Sequence, residues 1–191
     1  LIDANSLIHR AFHALPPLTS PDGVPVQALY GVASILLKLW KEEKPQYAAA
    51  LFDRPEPTFR KERYDAYKAQ RPKAPDELVL QLIEAHRLFA AFGIPVFDAA
   101  GWEADDLIAT LARKSEKENL DVVIVSSDKD ILQIVDERVK VLNEPKQTLF
   151  DPRTVVEKWG VRPDQIADVL ALMGECSDNI QGVPGIGEKT A

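Results

Sequence analysis

Short apolar, β-branched runs alternate along the chain with longer segments whose apolar residues recur every three or four positions. The short runs predict strands that end at Ile2, near Phe52 (from Tyr47), near Phe97 (from Ile94) and at Val125 (from Val122), with 139–142 as a further candidate. The longer segments predict helices over Val26–Lys41, Asp76–Phe92, Glu103–Glu118 and Pro163–Met173. This alternation is typical of an α/β domain, in which helices flank a parallel sheet.

Two stretches interrupt the alternation. Asp53–Pro75 is polar and contains four prolines, which predicts a long excursion from the sheet. Gly174–Gly187 holds four of the nine glycines and predicts a compact looped segment after the last helix. The chain begins within a predicted strand and ends in what resembles the first turn of a helix, so we expect a fragment of a longer protein.

Composition narrows the possible classes of protein. No apolar run approaches the roughly 20 residues that a membrane-spanning helix needs, and the single cysteine, Cys176, excludes an internal disulfide and fits a reducing compartment. The net charge of −7 argues at first against a nucleic-acid partner. Nine of the 30 acids belong to the cluster described below, and without them 21 acids face 23 bases.

Three of these acids directly follow predicted strands: Asp3, Asp53 and Asp128. Ligands of open parallel sheets bind at the carboxyl ends of the strands, so these acids are expected to converge on one crevice. Further acids lie at the start of a predicted helix and just after Asp128; they are Glu103, Asp105, Asp106 and Asp130. Oxygen ligands without His or Cys favour Mg²⁺ or Mn²⁺ over zinc.

Each acid taken alone has a structural alternative. An Asp after a strand is often a turn former or a helix N-cap, and Asp128 fits a cap for a helix that begins at Lys129. Acids at a helix N-terminus also stabilise the helix through its dipole. The whole set together indicates a functional cluster.

A basic segment lies within the polar excursion. Between Thr58 and Lys73 six bases outnumber two acids, and Phe59, Tyr64 and Tyr67 are interleaved among them. Basic residues that follow a phosphate backbone, together with aromatics that stack on bases, are typical of single-stranded nucleic-acid binding. The alternative is a solvated charged helix whose aromatics pack on the core.

A glycine-rich turn lies near the end of the chain. Gly182, Val183, Gly185, Ile186 and Gly187 surround Pro184 and lead into Glu188-Lys189-Thr190. Glycines permit close backbone approach, and amides at a following helix N-terminus can hold a phosphate. The pattern resembles the hairpin of helix-hairpin-helix proteins, which bind duplex DNA by its backbone; a plain tight turn is the alternative.

Six stretches in this order resemble the 5′-nuclease (5′–3′ exonuclease) domains of bacterial DNA polymerase I, within the flap endonuclease family. The stretches are Leu1-Ile2-Asp3-Ala4-Asn5-Ser6, Leu51-Phe52-Asp53, Tyr67-Lys68-Ala69-Gln70-Arg71-Pro72, Trp102-Glu103-Ala104-Asp105-Asp106, Ser127-Asp128-Lys129-Asp130 and Leu172–Asn179. The last one runs into the glycine-rich turn and is the most specific. The resemblance covers essentially the whole chain.

The resemblance implies a parallel-sheet, PIN-like flap-endonuclease core over residues 1–160, with a helical arch insertion at about 54–75. Residues 161–191 would then begin a helix-three-turn-helix that binds duplex DNA, often with K⁺. The family's metal-site acids fall on Asp3, Asp53, Glu103, Asp105, Asp106, Asp128, Asp130 and Asp178, and Glu175 stands where the family usually has Asp. Lys68 and Arg71 match basic residues near the scissile phosphate, Tyr67 the aromatic beside them, and Arg10 and Arg60 further DNA-contacting positions.

The implied activity is hydrolysis of DNA or RNA phosphodiesters at 5′ flaps by two or more Mg²⁺ ions, with Mn²⁺ as a substitute. Lys68, Arg71 and Asp106 would be the catalytic residues, and the substrate a 5′ flap or an RNA primer. The expected setting is a monomer without membrane contact in the bacterial cytoplasm, near the nucleoid, with polymerase modules in the same polypeptide. Two alternatives stay open at this point: a related PIN-like ribonuclease and a DNA-binding module with degenerate catalysis. A phospho-acceptor signalling domain also gathers acids around Mg²⁺, but it would be expected to lack a basic insertion, so this chain does not fit that class.

Overall fold

A computed structural model, which describes residues 1–188 and 190–191, contains one six-stranded sheet in the order β3-β2-β1-β4-β5-β6. Its strands are β1 Ile2–Asp3, β2 Ala50–Leu51, β3 Val96–Phe97, β4 Val122–Val125, β5 Val139–Asn143 and β6 Thr148–Phe150. All neighbouring pairs are parallel except β5 and β6. Ile2 of β1 pairs with both Ala50 and Val125, so the carboxyl ends of three strands meet near the middle of the sheet.

Within the described residues, seven α-helices surround this sheet. They are α1 Ala4–Ala14, α2 Gln27–Glu43, α3 Phe59–Arg63, α4 Asp76–Ala91, α5 Ala104–Lys117, α6 Pro152–Trp159 and α7 Ile166–Met173. Because side chains alternate across a strand, Ala50 and Phe52 pack into one core with α1, α2 and α4, whereas Leu51 packs into the other with α5. The predicted α/β class with helices on both sides of a parallel sheet is confirmed.

Several predicted bounds were wrong. The second strand is limited to Ala50–Leu51, and Pro163–Met173 divides into a 3₁₀ turn, Pro163–Gln165, followed by α7. The sequence patterns also did not predict α1, β6 or α6. Helix α1 follows β1 without a loop, because Asp3 ends the strand and caps the helix: its Oδ1 accepts from Ser6 N at 3.0 Å.

The excursion at 53–75 contains only one short helix, α3. Its later part lies against residues 176–179: the Lys68 amide donates to the Asp178 carbonyl at 3.0 Å, and Tyr64 Oη donates to the Asn179 carbonyl at 3.3 Å. The looped segment after α7 contains a small hairpin, β7 Gly174–Glu175 and β8 Ile180–Gln181. In the part of the chain described, every helix is too short or too polar to cross a bilayer.

Candidate active site

A crevice of about 340 Å³ lies at the carboxyl edge of the sheet, and Asp128 is the strand-end acid that lines it. Asp3 and Asp53 lie beside the crevice, close enough for their charges and that of Asp128 to act on Asp105. Asp3 ends β1, Asp53 follows β2, and Asp128 follows β4. The crevice is lined by a mixture of acids and bases: Arg60, Lys68, Arg71, Glu103, Asp105, Asp106, Asp128, Lys129, Asp130 and Asp178. The predicted convergence of strand-end acids is therefore seen in the structure.

Asp3 is the most enclosed of the strand-end acids, with 5% of its surface exposed. Besides capping α1, it accepts a hydrogen bond at Oδ2 from Ser126 Oγ at 2.7 Å. Burial raises the pKa of Asp3 to about 6; its hydrogen bonds oppose that shift, and the charges of Asp53 and Asp128 add to it. Asp3 thus has a structural role and an electrostatic one.

The N-terminus of α5 brings three further acids into the crevice. Asp53 Oδ1 accepts from the Ala104 amide at 2.7 Å, and Asp106 Oδ2 accepts from the Glu103 amide at 3.0 Å. Both contacts satisfy free amides of the first helical turn. Burial, and then repulsion from Asp3 and the other strand-end acids, raises the pKa of Asp105 to about 8. Asp105 therefore keeps its proton at neutral pH in the metal-free protein.

Asp128 lies on the loop after β4, and Asp130 begins the 3₁₀ helix that follows it, Asp130–Ile134. The Asp128 amide donates to Ser126 Oγ at 3.1 Å, and the Asp130 amide donates to Asp128 Oδ1 at 2.9 Å. Asp130 Oδ1 is buried and has no hydrogen-bond partner. Burial, and then the charges of Asp128 and Glu175, raises the pKa of Asp130 to about 6.

The remaining acids are paired with bases of the excursion. Arg60 donates two hydrogen bonds to Asp106, at 2.7 and 2.8 Å, and Lys68 Nζ lies 2.9 Å from Glu103 Oε2. Burial alone would raise the pKa of Asp106, but these two hydrogen bonds and the amide of Glu103 hold it below its ordinary value.

Two more ion pairs lie beside the hairpin after α7. Arg71 Nη2 contacts Asp178 Oδ1 at 2.7 Å, and Lys129 pairs with Glu175. Glu175 Oε1 also accepts from Ser177 Oγ at 2.7 Å. In this structure the bases expected to meet phosphate instead neutralise carboxylates.

Tyr67 is almost fully buried between these groups, and its Oη donates to Glu103 Oε2 at 3.0 Å. Burial, followed by repulsion from the charges of Glu103 and Asp178, raises the pKa of Tyr67, so the phenol stays protonated. Tyr67 is held as a hydrogen-bond donor to Glu103 beside Lys68.

The donor set fits hard divalent cations. Every candidate ligand is a carboxylate oxygen, and one buried oxygen of Asp130 has no partner. Three carboxyl groups have raised pKa values, first because they are buried and second because like charges lie close together. Within residues 1–188 and 190–191, no three His, Cys, Asp or Glu side chains are already arranged around a common ion position. The crevice thus gathers the ligands, but their coordination sphere is not formed.

The glycine-rich turn is fixed to α7 by backbone contacts. A Cβ placed on Gly182 would lie 2.2 Å from the Met173 carbonyl carbon, and one on Gly174 would lie 2.4 Å from the Gly182 amide nitrogen. The Val183 amide donates to the Leu172 carbonyl at 2.8 Å. The hairpin that carries Glu175 and Asp178 is therefore closed by backbone packed on backbone.

Residues 183–188 leave this hairpin as a mostly exposed turn, with Gly185 at φ +84°. Ile186 N donates to the Val183 carbonyl at 3.0 Å, and the Gly187 carbonyl accepts from the amides of Thr190 and Ala191 at 2.9 Å each. The predicted helical turn at the chain end includes Lys189, which lies outside the described residues.

Arg10 lies apart from the arch bases. Its Nη2 contacts Glu144 Oε2 at 3.5 Å, and Lys38 contacts the other oxygen of Glu144 at 3.3 Å. Its role as a DNA contact stays a prediction.

Two residues without an assigned role also support the site: Ser126, which bonds Asp3, and Asn5, whose Oδ1 accepts from the Asp53 amide at 3.1 Å. Asn5 comes two residues after Asp3, and this closeness in sequence is the signal from which its supporting role could have been predicted. Outside the site, His86 stacks on the core residue Phe52 with ring centroids 4.0 Å apart.

Comparison with known proteins adds an independent line of information. The family model described as 5′-3′ exonuclease, N-terminal resolvase-like domain, matches residues 1–160, and that described as 5′-3′ exonuclease, C-terminal SAM fold, matches residues 161–191. The chain is 44% identical to a 5′-3′ exonuclease of Aquifex aeolicus over its full length, which is 66% of that protein. It is 47% identical to DNA polymerase I of Pseudomonas aeruginosa, of which it covers 21%. The chain thus spans between about a fifth and two thirds of the length of these relatives.

Solved structures show the same fold. T5 5′-exonuclease with bound divalent zinc ions matches with a TM-score of 0.82 and 25% identity, over 99% of this chain and 71% of that one. The catalytic core of Rad2 in complex with DNA substrate matches with a TM-score of 0.62 and 20% identity, over 97% of this chain and 55% of that one.

Proposed function

The chain belongs to the 5′-3′ exonuclease family, and from this premise we propose that it hydrolyses phosphodiesters of DNA or RNA near the junction of a 5′ single strand with duplex. The products are a 5′-phosphate and a 3′-hydroxyl. The observation that carries the proposal is the crevice at the sheet edge, where crowded carboxylates with raised pKa values face Arg60, Lys68 and Arg71. Such an arrangement supports metal-assisted phosphoryl chemistry.

The proposed cofactor is Mg²⁺, two or more ions, with Mn²⁺ as a substitute. The residues that would hold it are Asp3, Asp53, Glu103, Asp105, Asp106, Asp128, Asp130, Glu175 and Asp178. Bound in such a site, divalent ions supply activation of water and stabilisation of the leaving oxygen. A T5 relative binds divalent zinc ions, which supports a divalent-metal site of this fold.

In this mechanism each base of the crevice contacts either a carboxylate or a phosphoryl oxygen. Lys68 lies 2.9 Å from Glu103, and Arg71 lies 2.7 Å from Asp178. Arg60 forms an ion pair with Asp106. With the acids neutralised by bound cations, Lys68, Arg71 and Arg60 would be free to contact the phosphoryl oxygens and would stabilise their growing charge. Lys68 has a left-handed backbone conformation, at φ +54°, and its backbone amide donates a hydrogen bond to the Asp178 carbonyl. Both features hold Lys68 in position at the crevice.

Duplex DNA would be held by the segment after α6. Residues 161–191 are proposed to begin a helix-three-turn-helix, with the exposed glycine-rich turn facing the phosphate backbone and K⁺ bound there. Arg10 is proposed as a further contact. A T5 flap endonuclease has been solved in a complex with DNA and metal ions, which supports such a substrate.

The cellular setting follows from the relatives in part. One of them is a separate 5′-3′ exonuclease and others are DNA polymerases I, so both a free nuclease and a nuclease joined to a polymerase exist in the family. We propose a monomeric bacterial nuclease of the cytoplasm, near the nucleoid, which removes RNA primers and displaced flaps in replication and repair.

The test uses the full-length protein and a 5′-flap DNA labelled at its 3′ end, with Mg²⁺ or with EDTA. We expect cuts near the junction that need Mg²⁺ and disappear in Asp106→Ala, whereas Asp22→Ala, in an exposed loop, cleaves normally. Cleavage of the RNA version alone would favour the PIN-like ribonuclease instead.

The second candidate is a DNA-binding module with degenerate catalysis. It is favoured by one observation: Glu175 is longer than the Asp usual in the family, and it is held by Lys129 and Ser177. Flap binding by the folded protein without any Mg²⁺-dependent cleavage would support this candidate and refute the nuclease.

A further inference from the structure

An exposed aromatic pair lies outside both apolar cores, at the beginning of the basic segment. The rings of Phe59 and Trp102 have centroids 5.0 Å apart at an angle of 56°, and Trp102 is 51% exposed. The other two tryptophans, Trp40 and Trp159, are half-buried against the cores. Trp102 thus presents about half of its surface to solvent, outside the packing of either core.

The backbone and two arginines hold this pair in place. The Phe59 amide donates to the Gly101 carbonyl at 3.0 Å, which joins α3 to the loop before α5. The guanidinium carbons of Arg60 and Arg63 lie 4.7 and 5.6 Å from the centre of the Phe59 ring. The pair is therefore a fixed apolar platform with positive charge beside it.

The platform is adjacent to the acids in sequence and in contacts. Trp102 directly precedes Glu103, and Phe59 directly precedes Arg60, which bonds Asp106 at 2.7 Å. The other end of the basic segment contacts residues 176–179, from which the glycine-rich turn follows. The platform thus lies at one end of the basic segment, and the region proposed to bind duplex DNA, residues 161–191, contacts the other end.

We propose that Trp102, supported by Phe59, stacks on one unpaired nucleobase of the 5′ single strand, while Arg63 meets its phosphate. This inference rests on the proposed function. A flat π-surface beside positive charge binds any of the bases, because each has a π-face and a phosphate attached. Stacking of this kind is worth about a tenfold change in dissociation constant or more when the aromatic is truncated to Ala.

The experiment measures binding of fluorescein-labelled 5′-flap DNA to the full-length protein in EDTA, by anisotropy. The flap is either natural or carries an abasic site at one of its first four positions. We expect Trp102→Ala to weaken binding about tenfold, Trp102→Phe to retain most of it, and Tyr47→Ala to leave it unchanged. Tyr47 is a matched control because it is 77% exposed and lies before β2, at the amino end of the strand.

The decisive result is coupling between protein and base. One abasic position should weaken binding to the native protein as much as Trp102→Ala does, and should weaken binding to that variant no further. Unchanged binding by Trp102→Ala would overturn the stacking. So would affinity losses from the abasic site and from Trp102→Ala that add in full at every position.

Cleavage of the same flap in Mg²⁺ separates the two proposals. Normal cleavage without coupling refutes the stacking alone. Coupling without cleavage refutes the nuclease and leaves Trp102 as a single-strand contact.

Discussion

Asp105→Asn should remove a pH dependence of stability from the metal-free protein. In the folded chain the pKa of Asp105 is raised to about 8, first by burial and then by Asp3, Asp128 and Asp53, whereas its ordinary value is 3.8. Between these two values the folded state binds one proton more than the unfolded state. The free energy of unfolding therefore falls as pH rises from about 4 to about 8, and the contribution is fully present only at the acid end.

The magnitude follows from linkage. One proton taken up on folding changes the free energy of unfolding by about 1.4 kcal/mol per pH unit. The window from pH 6.5 to 7.5 lies above the raised pKa values of Asp3 and Asp130, which are about 6. Burial lowers the pKa of the Leu1 terminal amine to about 6, which gives a pH dependence of opposite sign in this window. That contribution is common to both proteins, so the difference between the native protein and Asp105→Asn isolates Asp105. Between pH 6.5 and 7.5 the deprotonation of Asp105 should lower the free energy of unfolding of the native protein by about 1 kcal/mol, or its Tm by roughly 2–4 °C.

The assay is urea unfolding in EDTA at pH 6.5 and 7.5 and constant ionic strength. The native protein should lose about 1 kcal/mol more across this window than Asp105→Asn, and Asp22→Asn, a change in an exposed loop, should match the native protein. Equal pH slopes for the native protein and Asp105→Asn would refute the argument that crowding keeps Asp105 protonated. Saturating Mg²⁺ should reverse the native slope, because ions bind the deprotonated carboxylates.

Two further predictions concern the ion pairs and the hairpin. Arg60→Gln should tighten Mn²⁺ binding several-fold in calorimetry, because it frees Asp106 from two hydrogen bonds. The control, Arg153→Gln on the exposed surface of α6, should leave Mn²⁺ binding unchanged. Weaker Mn²⁺ binding by Arg60→Gln would show that Arg60 assembles the site instead. Gly182→Ala should destabilise the protein by about 2 kcal/mol or more in urea unfolding, since its Cβ meets the Met173 backbone. Gly187→Ala, with no atom within 4 Å of the added Cβ, is the control for stability, and equal stability of both variants would contradict the packing.

Local pattern predicted where the acids leave the sheet but not what they bond. Asp3, Asp53 and Asp128 were found because a strand-end acid in a parallel sheet has a fixed place. The pairing of Lys68 with Glu103 joins residues 35 apart in sequence, and that of Arg71 with Asp178 joins residues 107 apart. Such pairs depend on tertiary packing, which no local spacing records.

The missed elements have local causes. Helix α1 shares Asp3 with β1, so no turn residue separates strand from helix. Strand β6 has three residues and begins just after Gln147, whose φ of +47° is a conformation that Gly or Asn usually signals. Helix α6 has only eight residues, which is shorter than the window over which an apolar period is recognised.

The facing glycines Gly174 and Gly182 limit how this protein can be engineered. A single methyl group on either one collides with main-chain atoms of the other strand or of α7, and these atoms cannot rotate away as a side chain would. A turn transplanted from another protein at residue 183 would have to keep the bond from its first amide to the Leu172 carbonyl. Residues 172–183 are therefore a module that must be exchanged whole, so a chimera designed to change duplex preference also replaces Glu175 and Asp178.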